Sequence, residues 1–297
     1  MGAGLSALDR APPGCRALAG GLVRGAGWLR RGAVQVLREG RDGRALEELD
    51  HRHVTAGALR EECAHLREQQ RVAAEVEEVV VAPDPVDAEH LAPDVDDPRL
   101  DPIWAKCGQL GAPVLIHTAD PRSFWDPMDR YNERWLELKL HPGRRRSETN
   151  PVSWETLLAE QHNVFGKHPK TTFINAHMGW YPNNLAKLDS IMAAYPNMML
   201  EIGAVIAELG RQPRAANRFF TKHQDRILFG KDSWVPSEYP TYFRVLETDD
   251  EYFPYHKKYH AFWRMYGMAL SDQVLKKVYY KNALRIIPGL DKTLFPE

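Results

Sequence analysis

Between Asp96 and Gly289, short apolar runs alternate with stretches in which apolar residues recur at helical spacing. Asp101-Pro102, the amphipathic run IWAKCGQL and then Gly111 predict a helix with an N-cap, a proline in its first turn and a glycine stop. Residues 113–116 (PVLI) read as a short buried strand, and Ser153 as the cap of a helix running to about Lys167. Residues 172–176 form the next strand, Asn183 opens a helix ending near Tyr195-Pro196, and residues 198–202 are a strand. Pro213–His223 is helical and Ile227–Phe229 is again a strand. Strand and helix in alternation imply βα units around a parallel sheet.

Three of the four strands run into a residue suited to metal or proton chemistry: His117, His177 and Asp232; Glu201 lies within the fourth. In a βα barrel the C-terminal strand ends converge on one face, where active sites sit. The spacings 177–201 and 201–232 suit successive βα units, whereas 117–177 is too long for one and must hold an inserted loop, roughly 120–150, over the same face. Two imidazoles and a carboxylate suit zinc or another borderline divalent ion, which acidifies a bound water toward a pKa of about 7. The bland alternative for each residue is a satisfied loop histidine or a helix-capping aspartate.

Composition divides the chain in two. Residues 1–100 contain no Phe, Tyr, Lys, Ile or Asn and a single Trp, Trp28, although the chain has 10 Phe and 11 Tyr. Residues 1–95 are therefore set apart from 96–297. They read either as an Ala/Arg-rich helical appendage, with helix formers over 44–80, or as a stretch translated out of its evolved frame. Across the whole chain, 39 basic residues balance 40 acidic ones, so no overall field favours nucleic acid or anionic lipid. Three cysteines without CxxC spacing argue against a disulfide framework and fit a reducing, cytoplasmic setting. No apolar run approaches the ~20 residues of a membrane helix. The Met1–Ser6 match to the myristoylation pattern is permissive enough to arise by chance.

The segments PVLIHTADP (113–121), NERW (132–135), HPKTTFINAHMGW (168–180), EIGAVIAELGRQPR (201–214) and RILFGKDS (226–233), with the closing YYKNALRIIPG (279–289), occur in order at sensible spacing. Over about residues 96–289 the sequence resembles the amidohydrolase-related (amidohydrolase 2) family of TIM-barrel metal-dependent hydrolases. The resemblance implies a (β/α)8 fold, its later strands clear and its N-terminal strands atypical or missing. It implies that His117, His177 and Asp232 hold a divalent metal, zinc first, and that His177 and Asp232 carry the catalytic proton chemistry. The role of Glu201 is left unassigned. The family's first strand ends in His-x-His. Only His51-Arg52-His53 has that spacing here, and it follows Leu46–Asp50, which reads as helix.

The expected function is a hydrolase that directs a metal-activated water at a carbonyl-type carbon. A non-oxidative decarboxylase on the same fold is one alternative, and a defective relative lacking the N-terminal ligands is another. The partner is a small molecule, with Trp180 either lining the pocket or simply packing, and Arg211, with Arg214, either clamping a carboxylate or forming a salt bridge at the start of a helix; self-association is left open. The aromatic stretches 120–135 and 234–266 resemble a single-strand nucleic-acid platform in composition, but acidic residues such as Glu247 and Asp249–Glu251 interrupt them. Pocket wall and packing is the reading they favour.

Overall fold

A computed structural model describes residues 94–146 and 152–296, and the backbone of residues 32–36. The helix expected over 44–80 and the His51-Arg52-His53 pair lie outside the described residues. Strand β1 (Gly32–Val36) pairs antiparallel with β2 (Val114–Thr118), Ala33 standing opposite His117. From β2 the sheet continues in parallel through β3 (Phe173–Asn175), β4 (Met198–Glu201) and β5 (Ile227–Leu228), in the order β1-β2-β3-β4-β5. The four parallel strands are the ones the hydrophobic pattern predicts. They supply the later strands of the (β/α)8-type fold, while an antiparallel strand from the Ala/Arg-rich stretch occupies the edge.

The helices follow their caps. Helix α1 (Asp101–Leu110) starts one residue earlier than predicted and ends at Gly111, whose φ of 65° is the left-handed stop glycine supplies without a Cβ penalty. Helix α2 (Trp135–Leu140) lies in the insertion after β2. Helix α3 (Trp154–Lys167) is capped by Ser153, whose side chain accepts the Thr156 N–H. Helix α4 (Leu185–Ala194) is capped by Asn184 and not Asn183, because the Asn184 side chain is the one that reaches the Lys187 N–H. Then come α5 (Ile206–Gly210), α6 (Pro213–Lys222), α7 (Tyr239–Glu247), the hairpin β6 (Phe253–Pro254) with β7 (Arg264–Met265), and α8 (Asp272–Lys276). A π-helical turn at Lys277–Lys281 leads into α9 (Asn282–Ile286). Among the described residues, no helix is long and apolar enough to cross a membrane.

Alternation along the strands sorts side chains onto two faces. Val114, Ile116, Phe173, Met198, Leu200 and Ile227 join the main core with Trp104, Leu158, Phe165, Leu188 and Phe220 from the helices. At about 1.5–3 kcal/mol for each fully buried large side chain, this layer is the main support of the sheet. Ile174, Met199 and Leu228 form a second, smaller cluster on the opposite face with Leu115, Ala283 and Ile286. Two residues further along their strands, on that same face, stand His117 and Glu201.

Arg226, just ahead of β5, donates to the carbonyls of Met192 and Tyr195, which the C-terminus of α4 leaves open, and to that of Met198 at the start of β4, at 2.6–3.0 Å. Lysine has the charge but not the fork. Arg226→Lys is expected to destabilise by about 1–3 kcal/mol, read as a lower denaturation midpoint with an unchanged slope.

Candidate functional site

The second face of the sheet brings His117 and His177 together. Their rings meet edge to face, with centroids 4.8 Å apart and planes at 87°. Trp180 completes the group, its ring 4.5 Å from His177 and 6.1 Å from His117. His117 arrives within β2, directly by strand alternation. His177 arrives by an unusual route, since His177, Met178, Gly179 and Trp180 all have φ between 51° and 59°. Each L-residue in that left-handed region costs about 1–2 kcal/mol, and such strain persists only where the surroundings hold it. Here Met178 is fully buried, and Gly179 leaves space for the Asn175 amide, which a Cβ would meet at 2.5 Å.

The turn is also pinned by hydrogen bonds. The His177 N–H donates to Glu201 Oε2 at 3.2 Å, and the Gly203 N–H donates to Glu201 Oε1 at 2.5 Å. The His177 ring then donates its Nδ1–H to the Gly203 carbonyl at 2.7 Å, because a carbonyl can only accept. That bond leaves Nε2 with its lone pair. Burial, with His117 nearby, pushes the His177 pKa down to about 4, and burial also lowers that of His117. Both imidazoles are neutral near pH 7 and able to ligate or to accept a proton. Burial pushes the Glu201 carboxyl up to about 7 against the two N–H groups that favour its ionised form.

Asp232 is exposed at the end of the segment after β5, and its charge acts on His117, His177 and Glu201. Its loop is shaped by Lys231, whose buried side chain donates to the Ser233 carbonyl and hydroxyl at 3.0 and 3.1 Å and pairs with Glu238 at 2.6 Å. Asp120, which sequence reasoning did not single out, exerts the larger carboxylate influence on His117 and is held by Arg146 at 2.8 Å.

In kind, these donors fit a divalent ion: two neutral imidazoles, one with its second nitrogen committed to a carbonyl, and a carboxylate beside them. In number they fall short. Among the described residues, no group of three or more His, Cys, Asp or Glu side chains is placed to hold a metal ion. Arg211 is engaged by other groups. It pairs with Glu133 at 3.0 Å, donates to the Ala207 carbonyl and lies 4.1 Å from the centroid of Trp263; Arg214 is exposed.

Sequence reasoning also missed the buried ionic cluster behind the site. Arg134 donates to Glu137 at 2.9 Å and to Glu208 at 2.6 Å, while His260 and Tyr255 are buried beside them. Arg134 lies in the NERW motif and Glu208 in EIGAVIAELGRQPR. Nothing in their separate spacing signals that two motifs 74 residues apart meet as one ion pair. The aromatic tail packs only in part: Tyr242, Phe253 and Tyr255 are buried, whereas Trp234, Tyr252 and Phe262 are exposed.

A family profile described as Amidohydrolase matches residues 17–289. The match begins well before residue 96, where the motif resemblance starts, and so takes in His51 and His53. No curated protein matches the chain. Among solved structures, the chain is similar to the uncharacterized TIM-barrel protein Bb4693 from Bordetella bronchiseptica, with 18% identity, a TM-score of 0.37, and coverage of 66% of this chain and 52% of that one. It is also similar to 2,6-dihydroxybenzoate decarboxylase from Rhizobium, with 16% identity, a TM-score of 0.37, and coverage of 64% and 55%. The chain thus spans about half the length of the solved proteins it matches.

Proposed function

The chain belongs to the amidohydrolase family, and from that premise we propose that it is a divalent-metal-dependent hydrolase of small molecules. His117 and Asp232 would hold the ion, zinc first, with His177 beside them as the group that takes the proton of the attacking water. A divalent ion in that place supplies Lewis acidity to a carbonyl and lowers the pKa of bound water. The observation that carries the reading is the edge-to-face pair of neutral imidazoles, with the His177 Nε2 left free by the bond to Gly203.

The protein's own groups do the rest. With its Nδ1–H committed to Gly203, His177 can accept a proton at Nε2 only, so the site has one proton direction. Asp232 is exposed after β5, where a substrate can reach it. Trp180 walls the site and excludes water from one side of His177. Arg211 meets a substrate carboxylate by exchanging Glu133 for it while remaining over Trp263.

The test is metal content of the purified protein by plasma mass spectrometry, beside His117→Ala. We expect near-stoichiometric zinc or manganese in the wild type and its loss in the variant. A protein that stays metal-free after zinc is added would overturn the proposal and leave the family likeness as ancestry. Turnover of an ester, lactone and amide panel beside a panel of unsaturated and aromatic carboxylic acids then separates the two chemistries. Water consumption without carbon dioxide supports the hydrolase, and carbon dioxide release supports a carboxy-lyase.

A further inference from the structure

Glu201 ends β4 on the face that carries His117, and both of its oxygens accept main-chain N–H groups: Oε2 from His177 and Oε1 from Gly203. The Gly203 carbonyl in turn accepts the His177 Nδ1–H. These three bonds close a loop from the carboxylate through the His177 backbone and ring to Gly203 and back. The space for the carboxylate is made by two glycines. A Cβ at Gly203 would lie 2.6 Å from Oε1, and one at Gly230 would lie 2.6 Å from the Glu201 Cγ. Among the described residues, the hydrogen bonds of this buried side chain all go to main chain. It therefore braces backbone, and the backbone it braces is the strained turn at His177 and the carbonyl that fixes the His177 ring.

We propose that Glu201 is a positioning residue for His177, holding residues 177 and 203 so that Nδ1 donates and the Nε2 lone pair is presented beside His117. A neutral imidazole offers one donor and one acceptor, so the tautomer decides which nitrogen can ligate or accept a proton. Carbonyl partners of this kind orient working histidines. Here the carbonyl is itself located by a carboxylate. Glutamine keeps the shape of Glu201 but turns an NH2 toward one of the two N–H donors, which opens the loop. The functional weight of this proposal rests on the reading of His177 as a working imidazole; the tautomer itself does not.

The experiment is a long-range proton–nitrogen correlation spectrum of the full chain labelled with 15N-histidine, freed of metal with a chelator, at pH 8, the His177 signals being assigned by their loss in His177→Gln. We expect wild-type His177 to be protonated at Nδ1 alone. In Glu201→Gln, shown folded by a cooperative melt, the Nε2–H form should appear as a substantial fraction. Retention of the pure wild-type tautomer in folded Glu201→Gln would overturn the proposal, as would an Nε2–H ring in the wild type. If Glu201→Gln does not fold, Gly230→Ala decides. It keeps every site side chain but displaces the carboxylate, so the same tautomer change is expected, and an unchanged ring overturns the proposal. Failure to take up zinc would sink the hydrolase reading and leave this readout untouched.

Discussion

Arg134→Met is expected to remove about 3–5 kcal/mol of stability, a large part of the roughly 5–15 kcal/mol that holds a folded domain. The Arg134 side chain is 3% exposed. Its guanidinium donates to Glu137 at 2.9 Å and to Glu208 at 2.6 Å, and Glu137 is shared with Arg144 at 2.6 Å. Burial opposes the charge, yet Glu208 and Glu137 outweigh it and raise the Arg134 pKa. Methionine matches the stem but leaves Glu208 buried without its close partner, since its other cation, Arg211, stands at 3.9 Å. The first urea transition should move to lower concentration with little change in slope. Adding Glu208→Leu and Glu137→Met should restore most of the loss, because an apolar cluster has no buried charge left to solvate. A single variant within about 1 kcal/mol of wild type would show that these carboxylates find water in the folded state.

This cluster marks where the sequence stops being legible. The helices of the later half follow from local chemistry, and Ser153 and Gly111 do at each end what their side chains, or lack of one, dictate. The strands follow from short apolar runs, and β2 delivers His117 by simple alternation. His177 could be named from its place after a strand, but not the turn that carries it. Three L-residues in the left-handed region go against local preference, and only the Glu201 brace and the packing of Met178 explain them. Glu201 was visible as a carboxylate within a strand, but not the glycines that leave room for it, one of which, Gly230, comes from the neighbouring β5 side. Arg211 could be read as a substrate clamp or as one half of a salt bridge; the fold shows the salt bridge, and names Glu133 and Trp263 as the partners that the sequence could not. The composition break was legible at once. Its structural outcome is visible only where residues 32–36 add an antiparallel edge beside His117.

The second large effect is loss of stability on acidification between about pH 6.5 and 4. Burial pushes His162 and His177 down to about 4 and His260 to about 3, with Lys187, His117 and Arg134 respectively adding to it. An unfolded histidine protonates near 6.5, so in this window the unfolded chain binds protons that the native chain refuses, and stability rises with pH by about 1.4 kcal/mol per unit for each such group. Glu201 opposes them. Its pKa, raised to about 7, means that the native chain holds an extra proton above about pH 4.5, so its contribution is lost as pH rises toward 7. Three histidines against one carboxyl leave the net slope acid-labile. His162 isolates the effect, because its ring contacts are with Phe165, Tyr181 and Tyr195 and not with His117 or His177, the tyrosines stacking on it at 6.4 and 5.4 Å. His162→Phe keeps the stacking and removes the titration. Between pH 7 and 4 the variant should lose about 3 kcal/mol less than wild type, read from urea midpoints across that range. Parallel pH profiles for the two proteins would mean that the imidazole is already protonated between its tyrosines, and the account of the acid slope would fail with it.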